Sequence, residues 1–205
     1  MEIIFQYETL IQQMVEQGFG VLDGFLTKQE TSDLNNSLTT RYEDDAFRRA
    51  GISKGQQVVQ AIRGDEIFWL EKIAATDAEK RYLAQVEAFM LYLNSTCYLG
   101  LQSYEMHYAV YPVGTFYKRH LDRFKTDSGR KLSIICYLND VWQEADGGQL
   151  RMYLKDGPKD ILPFAGRIII FESDKIEHEV LTAYKERRSV TGWLKTTPPV
   201  FEKIF

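Results

Sequence analysis

The sequence predicts an α+β fold, a helical flank followed by a β-rich roll, and three observations predict it. Apolar side chains recur at helical spacing through the first hundred residues. From Tyr104 onward the pattern becomes short β-rich runs cut by turns. No Pro/Gly/Ser linker, low-complexity tract or internal repeat separates the two halves. At 205 residues the chain is long enough to bury one sizeable core. It is read as a single domain over 1–205, with the flank at about 1–100, the roll at about 101–195 and a short tail at 196–205.

Residues 3–17 (IIFQYETLIQQMVEQ) place Ile4, Tyr7, Leu10, Ile11, Met14 and Val15 at helical spacing, and Gly18 and Gly20 stop that pattern before a short strand, GFGVLD. Thr27 stands three residues before Glu30, and Thr76 three before Glu79. Each pair can cap a helix reciprocally, which predicts helices at about 28–44 and 77–96. Between them AFRRAGISKGQQVVQ, with Gly51 and Gly55, predicts a long mobile loop, followed by a strand-like stretch around AIRGDEIFWL. The later runs YEMHYAVYP, TFYKRHLD, KLSIICYLN, GQLRMYL, GRIIIFES, HEVLTAY and RSVTGWL give seven or eight strands. Asp-Ser-Gly at 127–129, Asp-Gly-Gly at 146–148 and Lys-Asp-Gly-Pro at 155–158 supply turn chemistry. Strands at such even spacing close into a sandwich, a jelly roll or a barrel.

Composition excludes several function classes. The 25 basic and 29 acidic side chains give a net charge of -4, which offers no electrostatic footprint for a polyphosphate backbone or an anionic membrane. No apolar run approaches the roughly 18 residues of a membrane span, and MEIIFQYETL lacks a basic n-region, so the expected address is the cytoplasm. Cys97 and Cys136 sit in no Cys-x-x-Cys spacing and read as structural thiols.

Two of the three histidines fall where a metal site would need them. In an extended segment residues i and i+2 share a face, so His120 and Asp122 can present an imidazole nitrogen and a carboxylate oxygen to one point. His178 on a later strand would complete a two-histidine, one-carboxylate facial set, the arrangement that suits non-haem Fe(II) oxygenases. His-x-Asp alone is weak, arising by chance about one time in twenty. The second signal is a cation. In the strand-like stretch Arg187 to Trp193, parity puts Arg187, Ser189, Thr191 and Trp193 on one side: an anion-binding fork, two hydroxyls and an aromatic wall. Arg188, Val190, Gly192 and Leu194 form the other, which makes Arg187 the cavity residue and Arg188 its solvated neighbour. Parity likewise puts Ser133, Ile135 and Tyr137 on one face of KLSIICYLN, and Tyr111 on one face with Ala109 and His107. His107 is left out of the metal set, because a lone strand histidine is more often a hydrogen-bonded core residue than a ligand.

The runs YAVYPVGTFYKRHLDRF, GRKLSIICYLNDVW, GGQLRMY and HEVLTAYKERRSVTGWL, with the earlier IRGDEIFWLE, resemble the iron- and 2-oxoglutarate-dependent prolyl hydroxylases, specifically the oxygen-sensing prolyl hydroxylase domain enzymes and their bacterial relatives. The resemblance spans about residues 18–195. It implies a double-stranded β-helix (jelly-roll or cupin-like) core, with His120, Asp122 and His178 as iron ligands and Arg187 binding the C5 carboxylate of 2-oxoglutarate. Tyr137 would assist that carboxylate and Tyr111 would line the pocket near the C1 end. Arg63 and Asp65, near the hinge of a closing loop, and Arg130 at the entrance would serve the substrate. The segment between Tyr111 and His120 is one residue shorter than the family's pattern, and 47–60 diverges from it.

The activity so implied is hydroxylation of a prolyl residue at C4 in a flexible loop of a protein, with Fe(II), 2-oxoglutarate and O2, succinate and CO2 as coproducts, and ascorbate as reductant. A translation factor or ribosomal protein is the expected target in a bacterium. Two alternatives stay open: a hydroxylase of free proline or another small molecule, and a cupin-like module that holds a metal without turnover. Nucleic-acid demethylation is disfavoured, because Trp193 occupies the place of its second, base-side arginine.

Overall fold

The computed structural model describes residues 2–50, 62–122 and 129–197. In chain order the elements are α1 (Glu2–Gln17), β1 (Phe19–Leu22), α2 (Lys28–Glu43), β2 (Arg48–Arg49), β3 (Glu66–Trp69), α3 (Asp77–Cys97), β4 (Ser103–Tyr111), β5 (Tyr117–His120) and β6 (Arg130–Tyr137). After a 3-10 turn (Glu144–Asp146) come β7 (Leu150–Leu154), β8 (Gly157–Ile161), β9 (Ile168–Glu172), β10 (His178–Val180) and β11 (Arg187–Lys195). Most of the expected loop and the end of the tail lie outside the described residues, as do the first two residues of the 127–129 turn.

Local chemistry sets the helix boundaries. At Thr27 and Thr76 the side chain accepts from the amide of Glu30 or Glu79, while that glutamate reaches back to the cap amide, so both reciprocal caps form and both helices begin where the spacing places them. α1 stops at Gly18, whose amide still reaches Met14 O at 2.9 Å.

Every strand pairing is antiparallel. A major sheet runs β1-β9-β6-β11-β4-β3-β2 and a minor sheet β5-β10-β7-β8. Strand parity sorts the major sheet's side chains into two cores. Tyr108, Ile134, Cys136, Ile170, Val190 and Leu194 face the helices, against Leu10, Leu34, Leu83, Val86 and Phe89. Phe19, Ala109, Ile135, Tyr137, Ile169 and Phe171 face inward, against Leu150, Met152, Ile161 and Val180 of the minor sheet. Each fully buried apolar side chain contributes about 1.5–3 kcal/mol, so the helical layer fixes one face of the major sheet and frees the other to carry polar groups.

The minor sheet holds a strand that the periodicity does not predict. β8 reads GPKDI, with Pro158, Lys159 and Asp160 exposed. It is an edge strand with no apolar alternation, and proline and charge on such an edge block pairing with another chain. In the major sheet, the edge strand β2 has only two residues. Cys97 and Cys136 are free thiols, as expected, and among the described residues no helix is long and apolar enough to cross a membrane.

Candidate active site

β5 and β10 are neighbours, with His120 and His178 directly opposite each other. Asp122 follows β5 by two residues and places Oδ1 3.5 Å from His120 Nε2 and Oδ2 3.6 Å from His178 Nε2. One ligand atom from each of the three lies within 4.8 Å of the others, so the set the sequence predicts is brought together. Each Nδ1 meets a backbone carbonyl, Lys118 O at 2.8 Å for His120 and Ile176 O at 3.1 Å for His178. A carbonyl only accepts, so Nδ1 carries the proton and Nε2 is left as the basic nitrogen facing the centre.

Electrostatics act in the same direction at Asp122 and His178. Burial pushes Asp122 up, but His178, His120 and the Ser133 hydroxyl outweigh it and hold the carboxyl well below the usual carboxylate range. Burial lowers His178, with Asp122 opposing, so the imidazole is neutral. Two imidazole Nε2 atoms and one carboxylate on one side of a point are a donor set that fits Fe(II) and leaves positions free for other ligands.

Arg187 opens β11 opposite Tyr111 of β4, and its neighbour on that face, Ser189, pairs with Tyr137 of β6. Its side chain crosses from the major sheet to donate Nε to Gly148 O at 2.9 Å. The guanidinium carbon lies 4.9 Å from each of the Tyr111 and Tyr137 ring centroids. Arg187 is 2% exposed and pairs with no carboxylate among the described residues. The Tyr137 hydroxyl is buried without a hydrogen-bond partner among the described residues. A buried cation lacking an acid costs several kcal/mol, and its rigid fork is shaped for a carboxylate. This corner therefore fits the free carboxylate of 2-oxoglutarate. Burial pushes both tyrosine hydroxyls up, Arg187 opposing, so they remain protonated donors.

Thr191 and Trp193 continue the same face of β11, as parity predicts, and the Ser189 and Thr191 hydroxyls lie 3.1 Å apart. Arg188 is on the other face, half-buried rather than solvated. It donates Nε to Glu186 at 2.7 Å and Nη1 to Thr39 Oγ1 at 2.9 Å, because α2 covers that face. Arg130 lies with its guanidinium carbon 3.4 Å from the Trp193 ring centroid, pairs with Glu105 at 2.8 Å, and reaches Asp122 O at 3.3 Å. Arg63 and Asp65 form a two-bond pair at 2.7 and 2.5 Å, and Asp65 is buried. His107 stacks on Trp193, with Trp69 on it as well; it is buried, its Nδ1 is unpartnered among the described residues, and it lies outside the metal cluster.

Three contributors escape the sequence reading. Ser133 donates its hydroxyl to Asp122 Oδ2 at 2.6 Å; parity puts it on the inner face but gives it no role. Tyr117 stacks on His120, and nothing marks it among 12 tyrosines and 12 phenylalanines. Gly148, read as a turn residue, also makes room for the cation, since a Cβ there would lie 3.0 Å from Arg187 Cδ.

Comparison with known proteins agrees with this chemistry. The profile of the 2OG-Fe(II) oxygenase superfamily matches residues 106–195, the stretch that holds His120, Asp122, His178 and Arg187. A Pseudomonas putida prolyl-4-hydroxylase is 37% identical, with 94% of this chain and 100% of that one covered at a TM-score of 0.86. A Trichoplax adhaerens prolyl hydroxylase, solved in complex with a hypoxia inducible factor oxygen degradation domain peptide fragment, is 26% identical, with 95% and 91% covered at 0.87. A viral collagen prolyl hydroxylase from Paramecium Bursaria Chlorella virus-1, 18% identical, shares the fold over 89% of this chain and 98% of that one at 0.66. The 37% identity to the Pseudomonas putida enzyme over nearly the full length, joined to the superfamily profile and the His120, Asp122 and His178 cluster, makes the chain a member of the 2OG-Fe(II) oxygenase superfamily and a 2-oxoglutarate-dependent dioxygenase.

Proposed function

We propose that this dioxygenase hydroxylates C4 of a prolyl residue within a polypeptide, with conversion of 2-oxoglutarate to succinate and CO2. The observation that carries the cosubstrate assignment is Arg187, a buried cation that meets no acid among the described residues, beside the Tyr137 hydroxyl, which has no hydrogen-bond partner among them. The prolyl assignment is supported by likeness to the Pseudomonas putida and Trichoplax adhaerens enzymes.

In this reading His120, Asp122 and His178 hold Fe(II) through two Nε2 atoms and a carboxylate oxygen. Bound iron, with 2-oxoglutarate and O2, supplies the oxidising chemistry, one oxygen atom going to the C–H bond and the other to succinate. The protein's residues do the rest. Arg187 and Tyr137 receive the far carboxylate, and Tyr111, Thr191 and Trp193 line the cosubstrate's side. Leu150, Met152, Phe171 and Val180 wall the interior with apolar surface that excludes water. The Nδ1 protons of both histidines are committed to carbonyls, so neither ring serves as a proton shuttle. Arg63, Asp65 and Arg130 border the substrate side, and the partner is a protein that presents proline in a flexible loop. Ascorbate serves as reductant.

Purified enzyme with Fe(II), 2-oxoglutarate and ascorbate is incubated with a cell lysate and, separately, with free amino acids, and products are read by mass spectrometry. The expected result is a one-oxygen mass increment on prolyl residues of a protein, dependent on 2-oxoglutarate. An increment only on free proline would overturn the polypeptide assignment in favour of the small-molecule one.

A further inference from the structure

His120 closes β5, a four-residue strand at the edge of the minor sheet. An edge strand is paired on one side only, which fixes its side chains less firmly than a central strand does. β10 covers one side, with an irregular register between His178 and Val180. His178 is better held: its strand pairs on both sides, it is 4% exposed, and Phe171 meets its ring edge-on at 4.8 Å.

The free side of β5 is closed by residues 62–64. Lys118 N donates to Ile62 O at 2.8 Å and Gly64 N to Phe116 O at 3.0 Å, with an antiparallel bridge between Arg63 and Tyr117. The approach is so close that a Cβ on Gly64 would stand 2.7 Å from Thr115 Cβ. Side chains extend the contact. Asp65, 1% exposed, takes both nitrogens of its two-bond pair from Arg63, whose guanidinium carbon lies 4.3 Å from the Tyr117 ring centroid. Tyr117 in turn stacks on His120 with centroids 3.6 Å and planes 17° apart. Guanidinium, phenol and imidazole thus form a column that ends on the ring whose Nε2 faces Asp122. The hydrogen bond from Nδ1 to Lys118 O fixes one point of that ring; the stack fixes its plane.

We infer that Arg63 and Tyr117 are positioning residues for His120, holding its imidazole plane so that Nε2 points at the metal. The inference rests on the metal role proposed above for His120, Asp122 and His178. It gives Arg63 and Asp65 a task in the metal centre itself, in addition to any contact with substrate.

The test is Co(II) titration of the metal-free protein, read by visible absorption, with circular dichroism to verify folding. The variants are Tyr117→Phe, Tyr117→Leu, the double variant Arg63→Gln/Asp65→Asn, which leaves no buried unpaired carboxylate, and His178→Ala. Tyr117→Phe keeps the stack and is expected to bind as the parent does. Tyr117→Leu should weaken Co(II) binding about tenfold and alter the shape of the Co(II) bands, and the double variant should weaken it several-fold. Parent-like affinity and bands in both Tyr117→Leu and the double variant, with His178→Ala binding abolished, would overturn the positioning role and leave the metal reading standing. Equal affinity in the parent and His178→Ala would overturn the metal reading and the positioning role with it.

Discussion

Ser133 of β6 donates its hydroxyl to Asp122 Oδ2 at 2.6 Å, so a side chain of the major sheet orients the carboxylate that the minor-sheet histidines face. The same hydroxyl lies 2.9 Å from Ser173 Oγ. One carboxylate oxygen is thereby tied to both halves of the roll.

Ser133→Ala removes that tie and leaves a buried acceptor short of a donor. Groups that orient a metal ligand typically carry about 10–100-fold in affinity. The expected outcome is Fe(II) affinity lower by about tenfold and a folded state weakened by about 1–3 kcal/mol, measured by metal titration and by urea unfolding of the metal-free protein.

Arg187→Ala should raise the 2-oxoglutarate requirement on the order of a hundredfold with Fe(II) affinity retained, since charge-assisted bonds of roughly 1.5–3 kcal/mol each are lost. Arg187→Lys keeps the charge and loses the fork, and should fall between the two. Steady-state kinetics against 2-oxoglutarate, beside metal titration, measure this. Unchanged dependence in Arg187→Ala would move the role to Arg188.

His107 predicts a pH dependence of stability. Burial between Trp69 and Trp193 lowers its pKa from 6.5 to about 3. The unfolded chain therefore takes up a proton near pH 6.5 that the folded chain refuses until about pH 3. The stability tied to the neutral ring is complete above about pH 6.5 and is lost as pH falls towards 3, by at most about 1.4 kcal/mol per pH unit. Denaturant unfolding of the parent and of His107→Met across that window should show the shallower slope in the variant.

Thr76→Ala breaks the reciprocal cap of α3 and the contact with Ser37 Oγ at 2.9 Å. The expected cost is about 1 kcal/mol, or about 2–4 °C in Tm for a chain of this size, with the catalytic requirement for 2-oxoglutarate unchanged. Thermal unfolding of the metal-free protein measures it.

What the sequence discloses is what local chemistry or strand parity encodes. Thr27 with Glu30 and Thr76 with Glu79 announce two helices, because a reciprocal cap needs only four consecutive residues. His120 and Asp122 are legible as a clip because the strand period is two, and parity separates Arg187 from Arg188. Strand β8 is hidden because an exposed edge needs no apolar alternation. The burial of Arg188 is hidden because it depends on where α2 lies. Ser133 is hidden for a related reason, since its contact exists only once β6 meets Asp122; the stack of Tyr117 on His120 lies within β5, but the Arg63 guanidinium that backs it arrives only when residues 62–64 meet that edge.

Binding of Fe(II) by His120, Asp122 and His178, and of 2-oxoglutarate by Arg187, is read by anaerobic absorption spectroscopy of the metal-free protein. A visible charge-transfer band should appear only when Fe(II) and 2-oxoglutarate are both added, vanish in His178→Ala, and require far more 2-oxoglutarate in Arg187→Ala. A parent protein with no band at saturating Fe(II) and 2-oxoglutarate, or a band undiminished in His178→Ala, would contradict it.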